Sequence, residues 1–277
     1  MKQFHLHLVS DSTGETVSSV SRAALAQFDH AQPNEHIWSL VRTKGQLEKV
    51  IAGLQANPGI VMFTLVDAEM REMLRQACGK LKVPCIPILG HVIREFSNYL
   101  NEKATGSPGQ QHEMSEDYFE RIDAINFALE HDDGQATWEL EQADIVICGV
   151  SRTSKSPTCV YLAYRGFKAA NVPFVPNVPL PENIMKLKQP LVVGLTISDD
   201  RLIDIRRSRL QAMNQDTNTD YVREDSVKEE IESAKKTFRQ QGWPVIDVTR
   251  RSVEETATLM IQYRLRQIEK RRAGGNE

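Results

Sequence analysis

Residues 143–163, ADIVICGVSRTSKSPTCVYLA, decide the fold. Ile145–Cys148 is a short, continuous apolar run, the mark of a strand covered on both faces and therefore of a parallel sheet. A polar turn follows, and the chain then reads as a helix. The turn matches the phosphate-loop pattern G-x-x-x-x-G-K-[S/T] at every fixed position except the second glycine, which is Ser154. In such a turn successive backbone N–H groups wrap a phosphate, and the N-terminus of the following helix adds its field. Gly149, Val150, Ser151, Arg152, Thr153, Ser154, Lys155 and Ser156 are the candidate nucleotide-binding residues. Lys155 would reach terminal phosphate oxygens, and Ser156 would hold Mg²⁺ through its hydroxyl. A serine at 154 restricts the backbone but keeps its N–H, and Pro157 is tolerable at a helix start. The plain alternative is a polar turn with a solvent-facing lysine.

On either side of this turn strands alternate with helices. Downstream, residues 172–176 and 190–197 read as strands, 198–210 as a helix rich in arginine, 226–241 as a helix and 243–248 as a strand. A closing helix follows, capped by Thr249 or Ser252, and Glu255 three residues after Ser252 completes a capping box. The tail KRRAGGNE is expected to fray. Upstream, residues 115–130 form a helix started by Ser115 and stopped by HDDG at 131–134. Further upstream, residues 4–9, 36–42, 60–66 and 83–89 read as strands, with helices after SDSTGET, over 44–56 and over 67–80.

Residues 101–114, NEKATGSPGQQHEM, are the sharpest composition break and read as a linker. The expected organisation is two α/β units with mostly parallel sheets. Residues 1–112 form an N-terminal α/β domain. Residues 113–277 form a nucleotide-binding domain resembling the P-loop nucleoside triphosphate hydrolase and kinase folds. No internal repeat is visible.

Composition narrows the function classes. The chain has 277 residues with Lys plus Arg 34, Asp plus Glu 37 and a formal net charge of -3. That balance argues against a surface built to coat nucleic acid. Four cysteines at 78, 85, 148 and 159 are too few and too irregular for a disulfide framework or a zinc site. The N-terminus lacks the apolar stretch of a signal peptide, and no window is apolar enough to span a membrane. A reducing, cytoplasmic setting is expected.

Other polar groups have two readings each. Asp11, in SDSTGET, could act on a metal or a hydroxyl while Ser12, Thr13 and Gly14 wrap an anion; the loop could equally be a helix cap. His131, Asp132 and Asp133 could orient a hydroxyl, act as base or hold Mg²⁺, or form a solvated helix end. An acidic pair is unfavourable beside the negative end of a helix, which favours a function. Arg201, Arg206, Arg207 and Arg209 could clamp phosphates or simply face solvent. His5 and His7 share a strand face without a third ligand, His36 and His91 read as unremarkable, and His112 is a weak candidate in the linker.

SDSTGET, YFERIDAINFALEHDDG, GVSRTSKSPTCVYLA, the VVGLTI segment with Asp200-Arg201-Leu202 after it, and WPVIDVTRRSVEETA together resemble the pyruvate, phosphate dikinase regulatory protein family, over residues 5–265. The related phosphoenolpyruvate synthase regulators usually carry Cys-Gly-Lys-Thr in the loop. Thr153-Ser154-Lys155-Ser156 resembles the dikinase-regulating branch instead. The resemblance implies a bifunctional serine/threonine kinase and phosphorylase. It implies that a phosphoryl group passes from ADP to a dikinase threonine beside the catalytic histidine, inactivating the dikinase, and that inorganic phosphate removes that group and releases pyrophosphate. It implies that Lys155 neutralises the transferred β-phosphoryl, that Arg152 binds the same group or the incoming phosphate, and that Ser156 positions Mg²⁺. An Asp of the 131–134 segment is the implied threonine-facing base, with Asp11 as rival. A homodimer is implied as well. A small-molecule P-loop kinase and a nucleotide-sensing binding protein are the alternatives.

Overall fold

The computed structural model describes residues 2–110 and 116–274. The chain divides into two compact units, Met1–Glu113 and Met114–Glu277. In the first unit β1 (Lys2–Val9), β2 (Ala31–Trp38), β3 (Ile60–Phe63) and β4 (Cys85–Pro87) form one parallel sheet in the order β2-β1-β3-β4. They alternate with α1 (Glu15–Leu25), α2 (Lys44–Ala56), α3 (Ala68–Leu81) and α4 (Gly90–Leu100).

The second unit opens with α5 (Glu116–Glu130). Its strands are β5 (Ile145–Gly149), β6 (Ala169–Pro173), β7 (Leu191–Thr196) and β8 (Val245–Asp247), all parallel, in the order β6-β5-β7-β8. Its remaining helices are α6 (Lys155–Tyr164), α7 (Glu182–Lys186), α8 (Asp199–Ala212), α9 (Glu224–Gln240) and α10 (Val253–Gly274). The two sheets therefore share one winding, a topological repeat with no counterpart in the sequence. In each, the chain leaves the first strand in one direction and returns on its other side, so the crevice above β1 and β3, and above β5 and β7, is a switch point where ligands bind in open α/β sheets.

β5 shows why its apolar run is continuous. Val146 and Cys148 face a core with Phe127, Leu202, Val227, Ile231 and Phe238, while Ile145 and Ile147 face another with Ala124, Leu162, Ala257 and Met260. Both faces are covered by helices, so alternation disappears.

Several boundaries differ from expectation, each for a local reason. β2 begins at Ala31 and ends at Trp38, not at 36 and 42. It is an edge strand paired only to β1, so its polar residues and Pro33 cost little and its periodicity is faint. Residues 40 and 41 leave the ladder because Leu40 N–H donates to Ser12 O and Val41 N–H to Ser10 O, each at 2.9 Å. β6 starts three residues before the expected 172, at Ala169. The apolar runs at 60–66 and 83–89 contain strands of only four and three residues. Helices α4 and α7 were not expected. The capping box holds: Ser252 N–H donates to Glu255 at 2.9 Å, and Glu255 N–H to the Ser252 hydroxyl at 3.1 Å. From there α10 continues to Gly274, through most of the expected frayed tail. The Ser115 cap and His112 lie outside the described residues.

His36 is not unremarkable. Its ring stacks on His7 at 4.4 Å, and its Nε2 is 3.0 Å from His5 Nδ1. The four edge strands β2, β4, β6 and β8 contain Pro33, Pro87 and Pro173 or directly follow Pro244. Among the described residues no helix is long and apolar enough to cross a membrane.

Candidate functional site

β5 ends at Gly149, where a Cβ would lie 2.9 Å from Thr153 Oγ1 and 3.1 Å from Leu195 Cβ. Only glycine lets the loop close this tightly over the switch point. Within the loop φ is positive at Arg152 (73°) and Ser154 (60°) and not at the residues between and before them. Such alternation turns successive N–H groups to one side and forms an anion-binding concavity. The left-handed Ser154 also explains the glycine of the pattern: the backbone needs a conformation that costs a non-glycine residue roughly 1–2 kcal/mol.

The inside of the loop is stitched by its own side chains. Thr153 Oγ1 donates to Val150 O at 2.9 Å, and Thr158 Oγ1 donates to Ser154 O at 2.7 Å. Lys155 is 7% exposed and donates to Val150 O at 3.2 Å. Burial pushes its ammonium below the ordinary lysine range, and the fields of Asp133 and Asp132 pull it partly back. α6 has no side-chain N-cap, so its first amides are left to a ligand or solvent. Cys148 and Cys159 lie beside Lys155, but burial pushes both thiols up to about 12, which keeps them neutral.

The HDDG segment arrives at this loop. α5 ends at Glu130, and Asp132–Gly134 forms a short 3-10 turn with Asp133 left-handed at φ 53°. Asn171 of β6, fully buried, ties the turn to the loop. Its side-chain amide donates to Asp132 and, at 3.5 Å, to the Ser156 hydroxyl. Its carbonyl accepts the Asp133 N–H at 3.1 Å, and its own N–H donates to His131 O at 3.2 Å. His131 is structural in the main: it stacks on Phe127 at 3.8 Å and donates from Nδ1 to Phe127 O at 2.8 Å. Thus Asn171, a residue that sequence reading left outside its strand, joins Asp132, the Asp133 backbone and Ser156, while Lys155 lies within the field of both carboxylates. A polar Asn between Ala170 and Val172 in a buried strand was the available signal.

The arginine-clamp expectation fails for Arg206. It is 1% exposed, makes a two-pronged ion pair with Glu230 at 2.7 and 2.9 Å, and lies 4.3 Å from the Tyr221 ring centre. It also donates to Tyr221 O at 3.1 Å and to Ser151 O at 3.2 Å, while the Tyr221 hydroxyl meets Ser151 Oγ at 3.1 Å. Arg206 therefore props the loop between β5 and α6 from behind. Its place on the apolar stripe of Leu202, Ile203 and Leu210 is the sequence signal for burial. Arg201, Arg207 and Arg209 are exposed, as is Arg152 in the loop.

Asp11 stands at the other switch point, in the first unit. It is buried, accepts the Val66 N–H at 2.7 Å, and burial pushes its carboxyl above the usual range.

A family model described as kinase/pyrophosphorylase matches residues 6–261, which include both switch points. Curated relatives carry the provisional name pyruvate, phosphate dikinase regulatory protein. The one from Paramagnetospirillum magneticum is 54% identical over 271 residues, covering 98% of this chain and 87% of the relative. Those from Caulobacter vibrioides and Erythrobacter litoralis are 50% and 49% identical, covering 93% and 95% of this chain and 82% and 94% of the relatives.

Proposed function

Since this chain belongs to the kinase/pyrophosphorylase family of pyruvate, phosphate dikinase regulatory proteins, we propose that it switches that dikinase off with ADP and on again with inorganic phosphate. In the first direction a dikinase threonine hydroxyl attacks the β-phosphorus of ADP; phosphothreonine forms, AMP leaves and the threonine proton is released. In the second, inorganic phosphate attacks the phosphothreonine phosphorus; the threonine oxygen leaves and takes up a proton, and pyrophosphate is released.

The observation that carries this reading is the tie through Asn171, which sets a carboxylate pair beside the cation and hydroxyl of a phosphate loop. Gly149–Ser156 acts as the P-loop. Its N–H groups and Lys155 bind the β-phosphoryl, and Arg152, exposed at the rim, meets the second phosphate. Charge neutralisation carries most of the catalysis. Asp132 or Asp133 accepts the threonine proton, a role that phosphorolysis does not require because phosphate is already anionic. The Ser156 hydroxyl and the Asp132 carboxylate are hard oxygen donors of the kind Mg²⁺ takes, alongside substrate phosphates. Bound there, Mg²⁺ would supply charge stabilisation to the transferring group.

The test incubates the protein with dikinase carrying phosphohistidine and β-labelled ADP. The expected result is label on a dikinase threonine, followed by labelled pyrophosphate once phosphate is added. Label that stays in ADP overturns the reading. Label that transfers to phosphoenolpyruvate synthase instead moves the chain to the sister branch.

A further inference from the structure

The first unit holds a pair of cysteines that the chemistry above leaves unused. Met70, Leu74 and Cys78 form the buried stripe of α3 at i, i+4 and i+8, and Cys78 is its last member. The helix closes just past it. Lys82 turns left-handed at φ 55°, and Val83 N–H donates to Cys78 O at 3.1 Å. Cys85 then enters β4 opposite Val61, and Val61 N–H donates to the preceding Pro84 O at 2.9 Å. Residues paired in a ladder share a face of the sheet, so Cys85 packs with Val61 against the core to which Cys78 belongs. The two thiols meet there, with the Cys78 S–H directed at the Cys85 sulfur.

The partners are unequal. Cys78 is 1% exposed, whereas Cys85 is half-buried and within reach of a small reagent. The Cys78 S–H first, and then the Arg75 guanidinium, hold the Cys85 thiol below its ordinary range against the burial that opposes them. The same contact, together with burial, holds the Cys78 thiol above its own. The thiolate is the nucleophilic form, so Cys85 is the attacking sulfur and Cys78 the resolving one. Cys148 and Cys159, in the second unit, are buried, and burial pushes both thiols up to about 12.

We propose that Cys78 and Cys85 are a redox modification site, closed to a disulfide by hydrogen peroxide and reopened by a small dithiol. The Cys85 thiolate attacks one peroxide oxygen. An S–O bond forms, the O–O bond breaks, and hydroxide leaves; the proton that Cys85 lost on ionising turns it to water. The Cys78 sulfur then attacks the Cys85 sulfur. The S–S bond forms, the S–O bond breaks, and the hydroxyl leaves as water with the Cys78 proton. Peroxide gains two electrons and the two sulfurs together lose two. The bridge ties the C-terminal end of α3 to the edge strand β4. The site is independent of the kinase reading, which uses no cysteine.

The test treats the full, reduced chain with hydrogen peroxide under native conditions. The remaining thiols are then blocked with iodoacetamide in urea, and the chain is digested with trypsin without reductant. Lys80 and Lys82 lie between the two cysteines, so the bridge is read directly, as residues 76–80 joined to residues 83–94. That joined pair is expected, and dithiothreitol should release it. Cys148 and Cys159 should be recovered alkylated. Cys78→Ser should leave Cys85 as a sulfenic acid that dimedone captures, and Cys85→Ser should abolish the native-state reaction. Arg75→Gln should slow bridge formation about two- to fivefold, the worth of one exposed charge pair. The wild-type map decides the matter even where Cys78→Ser fails to fold. A bridge that forms only in urea marks the pair as plain core thiols and overturns the proposal. Dimedone on Cys78 in wild type, or a peroxide reaction that survives Cys85→Ser, overturns it too.

Discussion

Asn171 donates its side-chain amide to the carboxylate of Asp132, although 39 residues separate them. The bond fixes the turn after α5 to β6, and the same amide reaches the Ser156 hydroxyl near the start of α6 at 3.5 Å. Asn171→Ala should leave Asp132 and the Asp133 N–H without their partner and cost about 1–3 kcal/mol of stability by urea unfolding. Because Asn171 positions the acidic turn and does not line the loop, kcat for threonine phosphorylation should fall at least about tenfold while KM for ADP changes little. A rise in KM with kcat unchanged would make Asn171 part of the nucleotide site.

Lys155 sets binding against stability. Its ammonium is buried with one carbonyl for company, and its pKa is lowered in the folded state. The charged form therefore opposes folding at neutral pH, an opposition that fades only as pH rises from the lowered folded pKa toward the unfolded value. Lys155→Met should abolish measurable ADP binding and raise stability by about 0.5–2 kcal/mol, as loss of a strained functional group commonly does. A variant that loses both would mean the lysine holds the loop together.

Arg206 should behave as a buried support. Arg206→Ala strands Glu230, which has a side-chain exposure of 13%, and should cost about 3–5 kcal/mol. Pairing Arg206→Met with Glu230→Met should recover much of that stability without recovering ADP affinity, since Ser151 O still lacks its donor. Full recovery of both would assign Arg206 a packing role only.

His7 makes the first unit acid-sensitive. Its Nε2 donates to Asn57 O at 2.9 Å and its Nδ1 accepts from Trp38 at 3.2 Å, so the neutral ring is fully satisfied. Burial first, then the neighbouring His36 and His5, lowers its pKa against the pull of Asn57. The unfolded chain thus binds the proton more tightly, and stability falls as pH drops below about 6.5, the unfolded value, through the folded one. Thermal melts between pH 7 and 5 should show this slope, and His7→Gln should flatten it.

What the sequence shows is mostly local. The β5 run, the turn after it and the Ser252–Glu255 box are read within one window, because strand burial and helix capping act over a few residues. What it hides depends on partners distant along the chain. The role of Asn171 exists only because β6 lies beside β5. Arg206 looks like a surface charge until Glu230 and Tyr221 are brought to it. β2 takes its form from the ladder offered by β1, so a polar, proline-containing segment becomes a strand. The candidate residues at 132, 133, 155 and 156 were legible as types, whereas the bonds by which Asn171 ties 132 and 133 to 156 were not.

The prolines on the sheet edges bear on a different property. An open sheet presents unpaired N–H and C=O groups on its outer strands, and a chain with two such sheets has four borders at which copies could join strand to strand. Pro33, Pro87 and Pro173 each remove a donor within such a strand, and β4 and β8 are only three residues long. The borders are thus poor templates for amyloid-like stacking. The chain can keep two open sheets without its own copies becoming ligands for their edges.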